Sequence, residues 1–153
     1  MTNVFSTSEL DSLAAFIDSW LSTEQEANPA IQAVEAGTDR GRSWYVRMAG
    51  EERDAFTIRF FLDQRTLGYE TYFMPYPEEN ERELFEYLLR RTAKMYGGAF
   101  AIDHEGSIVI KGWLDNGNVS GPDLDRVLGS CYAWVEQFFK PAMRIGFASK
   151  FPG

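Results

Sequence analysis

The sequence predicts a two-layer α+β domain: a five-stranded antiparallel sheet with helices on one face, in the order α-βββ-α-ββ-α. Three observations predict it. Apolar residues recur at helical spacing in three stretches, near the start, the middle and the end of the chain. Between the first two lie three runs in which apolar and polar residues alternate with period two. The turns joining those runs are too short for the crossover of a dozen residues or more that a parallel return needs.

The first helix is expected over about residues 7–24. Leu10, Leu13, Ala14, Ile17, Trp20 and Leu21 form its apolar stripe, and Ser6 followed by Glu9 fits a capping box. Asn28-Pro29 reads as the cap and first residue of a short helical turn reaching about Val34. The polar, glycine-containing residues 35–42 read as a loop.

Trp44, Val46 and Met48 alternate with Tyr45 and Arg47 in the first strand. Phe56, Ile58, Phe60 and Leu62 alternate with Thr57, Arg59 and Phe61 in the second, and Thr66 to Met74 make the third. Pro75 and Pro77 end this meander. Asn80 with Glu83 reads as a second capping pair, and Glu78, Glu79 and Glu81 place negative charge where a helix dipole favours it. Leu84, Phe85, Leu88, Leu89 and Met95 form this helix's stripe, and Gly97-Gly98 stop it. Phe100 and Ile102, then Ile108 and Ile110, read as a hairpin around Asp103-His104-Glu105-Gly106. The last helix starts near Ser120 to Pro122, buries Leu124, Val127, Leu128, Cys131, Trp134, Val135 and Phe138, and is expected to end at Pro141. The tail over 148–153 is expected to be flexible.

Composition excludes several functions. The 153 residues carry a net charge of −8, which disfavours nucleic acid and anionic membranes as partners. The apolar runs fall far short of the ~20 residues that span a bilayer. The first residues lack a basic and then apolar leader, so no signal peptide is expected. Cys131 is the single cysteine and His104 the single histidine. No disulfide, cysteine-based metal site or nucleophile–base pair follows from them.

Asp103-His104-Glu105 resembles chemistry, but Asp and Gly at a hairpin end serve the turn itself. The acidic cluster Glu78, Glu79, Glu81 and Glu83 lacks the glycine-kinked spacing of a calcium loop. Cys131 sits on an apolar helix stripe, where a thiol packs as a small hydrophobe. Catalytic, metal and cofactor residues are therefore expected to be none.

Strand parity gives the one candidate surface. If Trp44, Phe56 and Ile108 face the helices, then Tyr45, Arg47, Arg59, Phe61, Lys111 and Trp113 share the opposite face. Aromatics and arginine are enriched where proteins meet, so these six are the expected partner-binding residues.

The run Thr57-Ile-Arg-Phe-Phe-Leu-Asp-Gln-Arg-Thr-Leu-Gly-Tyr-Glu-Thr-Tyr-Phe-Met-Pro-Tyr-Pro-Glu-Glu-Asn80, followed by Leu88-Leu89-Arg90-Arg91 and by Ala99-Phe-Ala-Ile-Asp103, resembles the YbjN family. That family comprises bacterial proteins described as sensory-transduction regulators. The resemblance covers about residues 40–148 of one domain over 1–153. Met74-Pro75 to Asn80 is its most specific piece, and Thr92 stands where the family pattern has asparagine. It implies a fold like that of type III secretion chaperones. It also implies a cytoplasmic, non-enzymatic protein that forms a homodimer and holds a segment of a client protein. The alternative is a small-molecule sensor with an aromatic-lined pocket between helices and sheet, in which Arg47 or Arg59 holds a carboxylate.

Overall fold

Helix α1, Thr7–Ala27, starts with the predicted capping box in a computed structural model that describes residues 4–38 and 42–151. Glu9 N–H donates to Ser6 Oγ at 3.2 Å, and Ser6 N–H donates to Glu9 Oε1 at 3.0 Å. The helix runs three residues past its expected end, and Asn28 is its C-cap rather than the N-cap of a new turn.

The segment after Pro29 is the main correction. Residues Ile31–Ala36 form strand β1, not a helical turn. Asn28 Oδ1 accepts from Ala30 N–H at 3.0 Å, which turns the chain into an extended path. β1 then pairs antiparallel with β2, Ser43–Ala49, bringing Val34 opposite Val46 and Glu35 opposite Tyr45. A six-residue stretch this mixed has no decisive period of its own, and the free edge of β2 supplies its hydrogen bonds. Of the loop expected over 35–42, residues 35 and 36 therefore close a strand, while 39–41 lie outside the described residues.

The sheet has six strands rather than five. β3 is Ala55–Leu62, β4 Thr66–Met74, β5 Gly98–Ile102 and β6 Ile108–Asp115. Their spatial order is β1-β2-β3-β4-β6-β5, antiparallel throughout, with β1 and β5 at the edges.

Helix α2, Glu81–Thr92, and helix α3, Gly121–Gly146, lie with α1 on the face that carries Trp44, Phe60 and Tyr69. Ile17 and Leu21 of α1, Leu84 and Leu88 of α2, and Leu124, Leu128, Cys131 and Val135 of α3 are buried there. Trp44 donates its indole N–H to Asp18 of α1 at 3.3 Å.

Two local predictions fail for one reason, the docking of the β4–α2 loop on the end of α3. Pro141 lies inside α3, which continues to Gly146. Beyond the proline, Ala142, Gly146 and Phe147 are buried, and that packing outweighs the lost backbone hydrogen bond. Gly146 C=O accepts from Glu78 N–H and Glu79 N–H at 3.0 and 3.1 Å, and Asn80 Nδ2 donates to Ile145 C=O at 2.9 Å. Asn80 therefore makes no side-chain cap on α2; it sits in the left-handed region with φ 55°. Glu78 and Glu79 serve the same joint. Lys150 Nζ donates to Glu78 at 2.9 Å, and Ser149 N–H donates to Glu79 at 2.6 Å. These contacts come from a 3₁₀ turn, Ala148–Lys150, in the tail; residues 152 and 153 lie outside the described residues.

Candidate functional site: the open face of the sheet

The register puts Tyr45, Arg47, Arg59, Phe61, Lys111 and Trp113 on the sheet face opposite the helices. Glu35 pairs with Tyr45, Tyr45 with Arg59, Arg59 with Glu70, and Glu70 with Lys111, so these five make one row across the strands. Phe61 pairs with Gly68 and Gly68 with Trp113, making the next row. Arg47 lies opposite Thr57 on the other side of the charged row. Trp113 is 64% exposed and Tyr45 40%. Arg47 and Lys111 are exposed, while Arg59 and Phe61 are half-buried.

The cations here are held by other means than carboxylates. Arg59 lays its guanidinium over the Phe61 ring, 4.7 Å from its centroid. Arg47 Nε donates to Gln32 Oε1 at 3.0 Å. Among the described residues, no ion pair joins Arg47, Arg59 or Lys111 to an acid. Acids elsewhere are engaged: Asp11 with Arg42, Glu52 with Lys140 and Glu86 with Arg90.

Sequence reasoning missed three members of this face. Gly68, Glu70 and Tyr72 are the central even-numbered residues of β4, before the register shift that buries Met74, and Tyr72 is 45% exposed opposite Val109. The signal was present. Leu67, Tyr69 and Thr71 are the buried odd positions, so period two was legible once the pairing partner was known. Near His104, a shallow trough of about 410 Å³ continues the face over Arg59, Phe61, Val109 and Lys111.

Two further recesses reach beyond this face. A cleft of about 670 Å³ opens between Tyr96, Trp113, Ser120 and Arg126, where Arg126 lies over the Tyr96 ring at 5.2 Å and reaches Asp123 at 3.8 Å. A smaller apolar groove runs between α2 and β5, lined by Phe85, Leu89, Phe100 and Ile102. Within the core, Phe73 packs edge-on against Phe100 and Phe139, at 4.9 and 5.9 Å.

The groups with chemical potential are structurally committed. Burial pushes the Cys131 thiol up to about 12, so it carries no nucleophilic thiolate near neutrality. Asp103 Oδ1 accepts from Glu105 N–H and Ser107 N–H, each at 2.9 Å, which closes the β5–β6 turn. Among the described residues, no group of three His, Cys, Asp or Glu side chains gathers to hold a metal ion. Among them also, no helix is long and apolar enough to cross a membrane.

This arrangement defines an α+β domain with a helix-covered face and an open, aromatic and basic face. The same fold occurs in a chain of the solved HopA1–SchA chaperone–effector complex, with a TM-score of 0.59 and 14% identity over 89% of this chain and 98% of that one. By sequence, the chain is 28% identical over 104 residues to uncharacterised proteins of Mycobacterium tuberculosis and Mycobacterium bovis, and 26% identical to one of Mycobacterium leprae. Those alignments cover 68% of this chain but only 56–57% of the relatives, so the match takes in little more than half their length. No family model matches, and the YbjN resemblance therefore stands on the quoted residues alone.

Proposed function

We propose that this chain is a non-enzymatic, cytoplasmic protein-binding module of the YbjN type, chaperone-like or regulatory, that holds a segment of a client protein on its open sheet face. The observation that carries this is the face itself: exposed Tyr45 and Trp113 share it with three cations that no carboxylate pairs among the described residues. An acidic chain that left such a surface to water would gain nothing from it, whereas a client would bury it. The likeness to a chain from a chaperone–effector complex supports the reading at the level of fold. The burial of Cys131, far along the chain from exposed His104, supports a role without catalysis.

The test is capture, identification and then direct titration of the purified client segment. Arg59→Glu with Trp113→Ala should abolish binding. Unchanged affinity in that double variant would refute the face as the site.

We further propose a homodimer through the groove between α2 and β5. Leu89 is 68% exposed beside edge strand β5, and Ile102, the last residue of that strand, is 52% exposed. Helix α2 carries Glu81, Glu83 and Glu86 against Arg82 in its first half and Arg90 and Arg91 in its last turn, with Lys94 just past its end. Two such helices packed antiparallel about a two-fold axis set acid against base. Light scattering should give twice the chain mass, and Leu89→Glu should halve it.

A second reading, a small-molecule sensor, is favoured by the 670 Å³ cleft, which lies in the size range of ligand sites. A thermal shift with a metabolite, lost in Tyr96→Ala, would support it.

A further inference from the structure

We propose that the open face selects an extended segment in which one acidic side chain stands two residues from an apolar side chain on either side. This rests on the protein-binding reading above and specifies the partner's chemistry.

Three rows cross the face in succession. The first is apolar on β4 and β6, with Tyr72 opposite Val109, and carries Thr57 and Arg47 on β3 and β2. The second is charged: Arg59, Glu70 and Lys111 are cross-strand neighbours. The third is apolar again, with Phe61 over Gly68 and Trp113 beyond it. Successive rows are two residues apart along each strand, roughly 6.8 Å. An extended peptide repeats its own side chains on one side at the same interval of about 6.8 Å. A segment lying along β4 and β6 therefore meets apolar, charged and apolar ground at every second residue.

The sign of the middle contact follows from the count of charges. On β3, β4 and β6 two cations flank one carboxylate, Glu70, which makes no ion pair with either among the described residues; the row's other carboxylate, Glu35, stands two strands from Arg59, on β1 beyond Tyr45. Arg59 is turned onto Phe61, and Lys111 has no carboxylate within ion-pair reach among the described residues. Arg47 adds a third cation one row away on β2. A carboxylate from the partner would complete the row; an ammonium there would meet two like charges.

The probe is a fluorescein-labelled heptapeptide, Ser-Leu-Ser-Glu-Ser-Phe-Ser, with two companions that carry Gln or Lys at the centre. Anisotropy should show the Glu peptide bound roughly tenfold more tightly than the Gln peptide, with the preference fading as salt rises. Lys111→Glu, and separately Arg59→Glu, should reverse the order so that the Lys peptide binds best. Equal binding of the Glu and Gln peptides overturns the acidic preference; if Trp113→Ala still weakens both, the face itself remains a binding surface. Binding that ignores Trp113→Ala and both charge reversals removes the face and the inference together. Failure of all three peptides to bind also overturns the inference, while client titration still decides the wider reading.

Discussion

Phe61 lies directly over Gly68: a β-carbon on Gly68 would stand 2.2 Å from the phenyl ring. The missing side chain lets the ring lie flat on the sheet, where it becomes the platform for the Arg59 guanidinium at 4.7 Å. A glycine within a strand weakens it, and here that cost creates a flat aromatic ledge between Arg59 and Trp113.

Gly68→Val should therefore lift Phe61 away and unseat Arg59. We expect a loss of about 1–3 kcal/mol in urea unfolding, with weaker client binding than in Phe61→Ala at equal stability. A neutral Gly68→Val would show that the ledge is not constrained as described.

Glu136 of α3 clamps the β2–β3 turn, accepting from Glu51 N–H and Glu52 N–H, each at 2.7 Å. Glu136→Ala should cost about 1–3 kcal/mol and speed hydrogen exchange at those two amides. Lys140→Ala breaks only the exposed ion pair with Glu52 and should cost about 0–1 kcal/mol.

Asn80 combines a left-handed backbone with a hydrogen bond to Ile145 C=O. Asn80→Ala loses both the bond and the conformational tolerance, whereas Asn80→Gly loses only the bond. Thermal unfolding should rank wild type above Gly and Gly above Ala, with Ala about 1–2 kcal/mol below Gly.

Stability should fall in alkali. Burial raises the Cys131 thiol from 9.0 to about 12 and the Tyr69 phenol from 10.0 to about 12. Both groups are neutral when protonated, so the folded chain keeps protons that the unfolded chain releases first. Their contribution is full below about pH 9 and is lost as pH rises toward about 12. Denaturant midpoints measured across that range should decline, and Cys131→Ala should flatten the decline. Thiol reagents at neutral pH should label Cys131 only after unfolding.

The helices and the meander were legible because each repeats its own period over enough residues to declare itself. Leu124 to Phe138 reads as one stripe, and Phe56 to Leu62 alternates without a break. Strand parity also put Tyr45, Arg47, Arg59, Phe61, Lys111 and Trp113 on one face before any pairing was known. β1 was not legible, because Ile31 to Ala36 extends only where the edge of β2 offers it a ladder. Gly68, Glu70 and Tyr72 joined the site only through the register of β4 between β3 and β6.

Local spacing thus determined the three helices, the strands other than β1, and which side of β2, β3 and β6 each residue faces, since these depend on near neighbours. Tertiary structure alone decided that Pro141 stays within α3, that Asn80 turns left-handed and that Glu78 and Glu79 clasp the chain's end. Those outcomes depend on groups some 65–70 residues apart meeting in space. The burial and hydrogen bonds gained there outweigh the preference of any short segment.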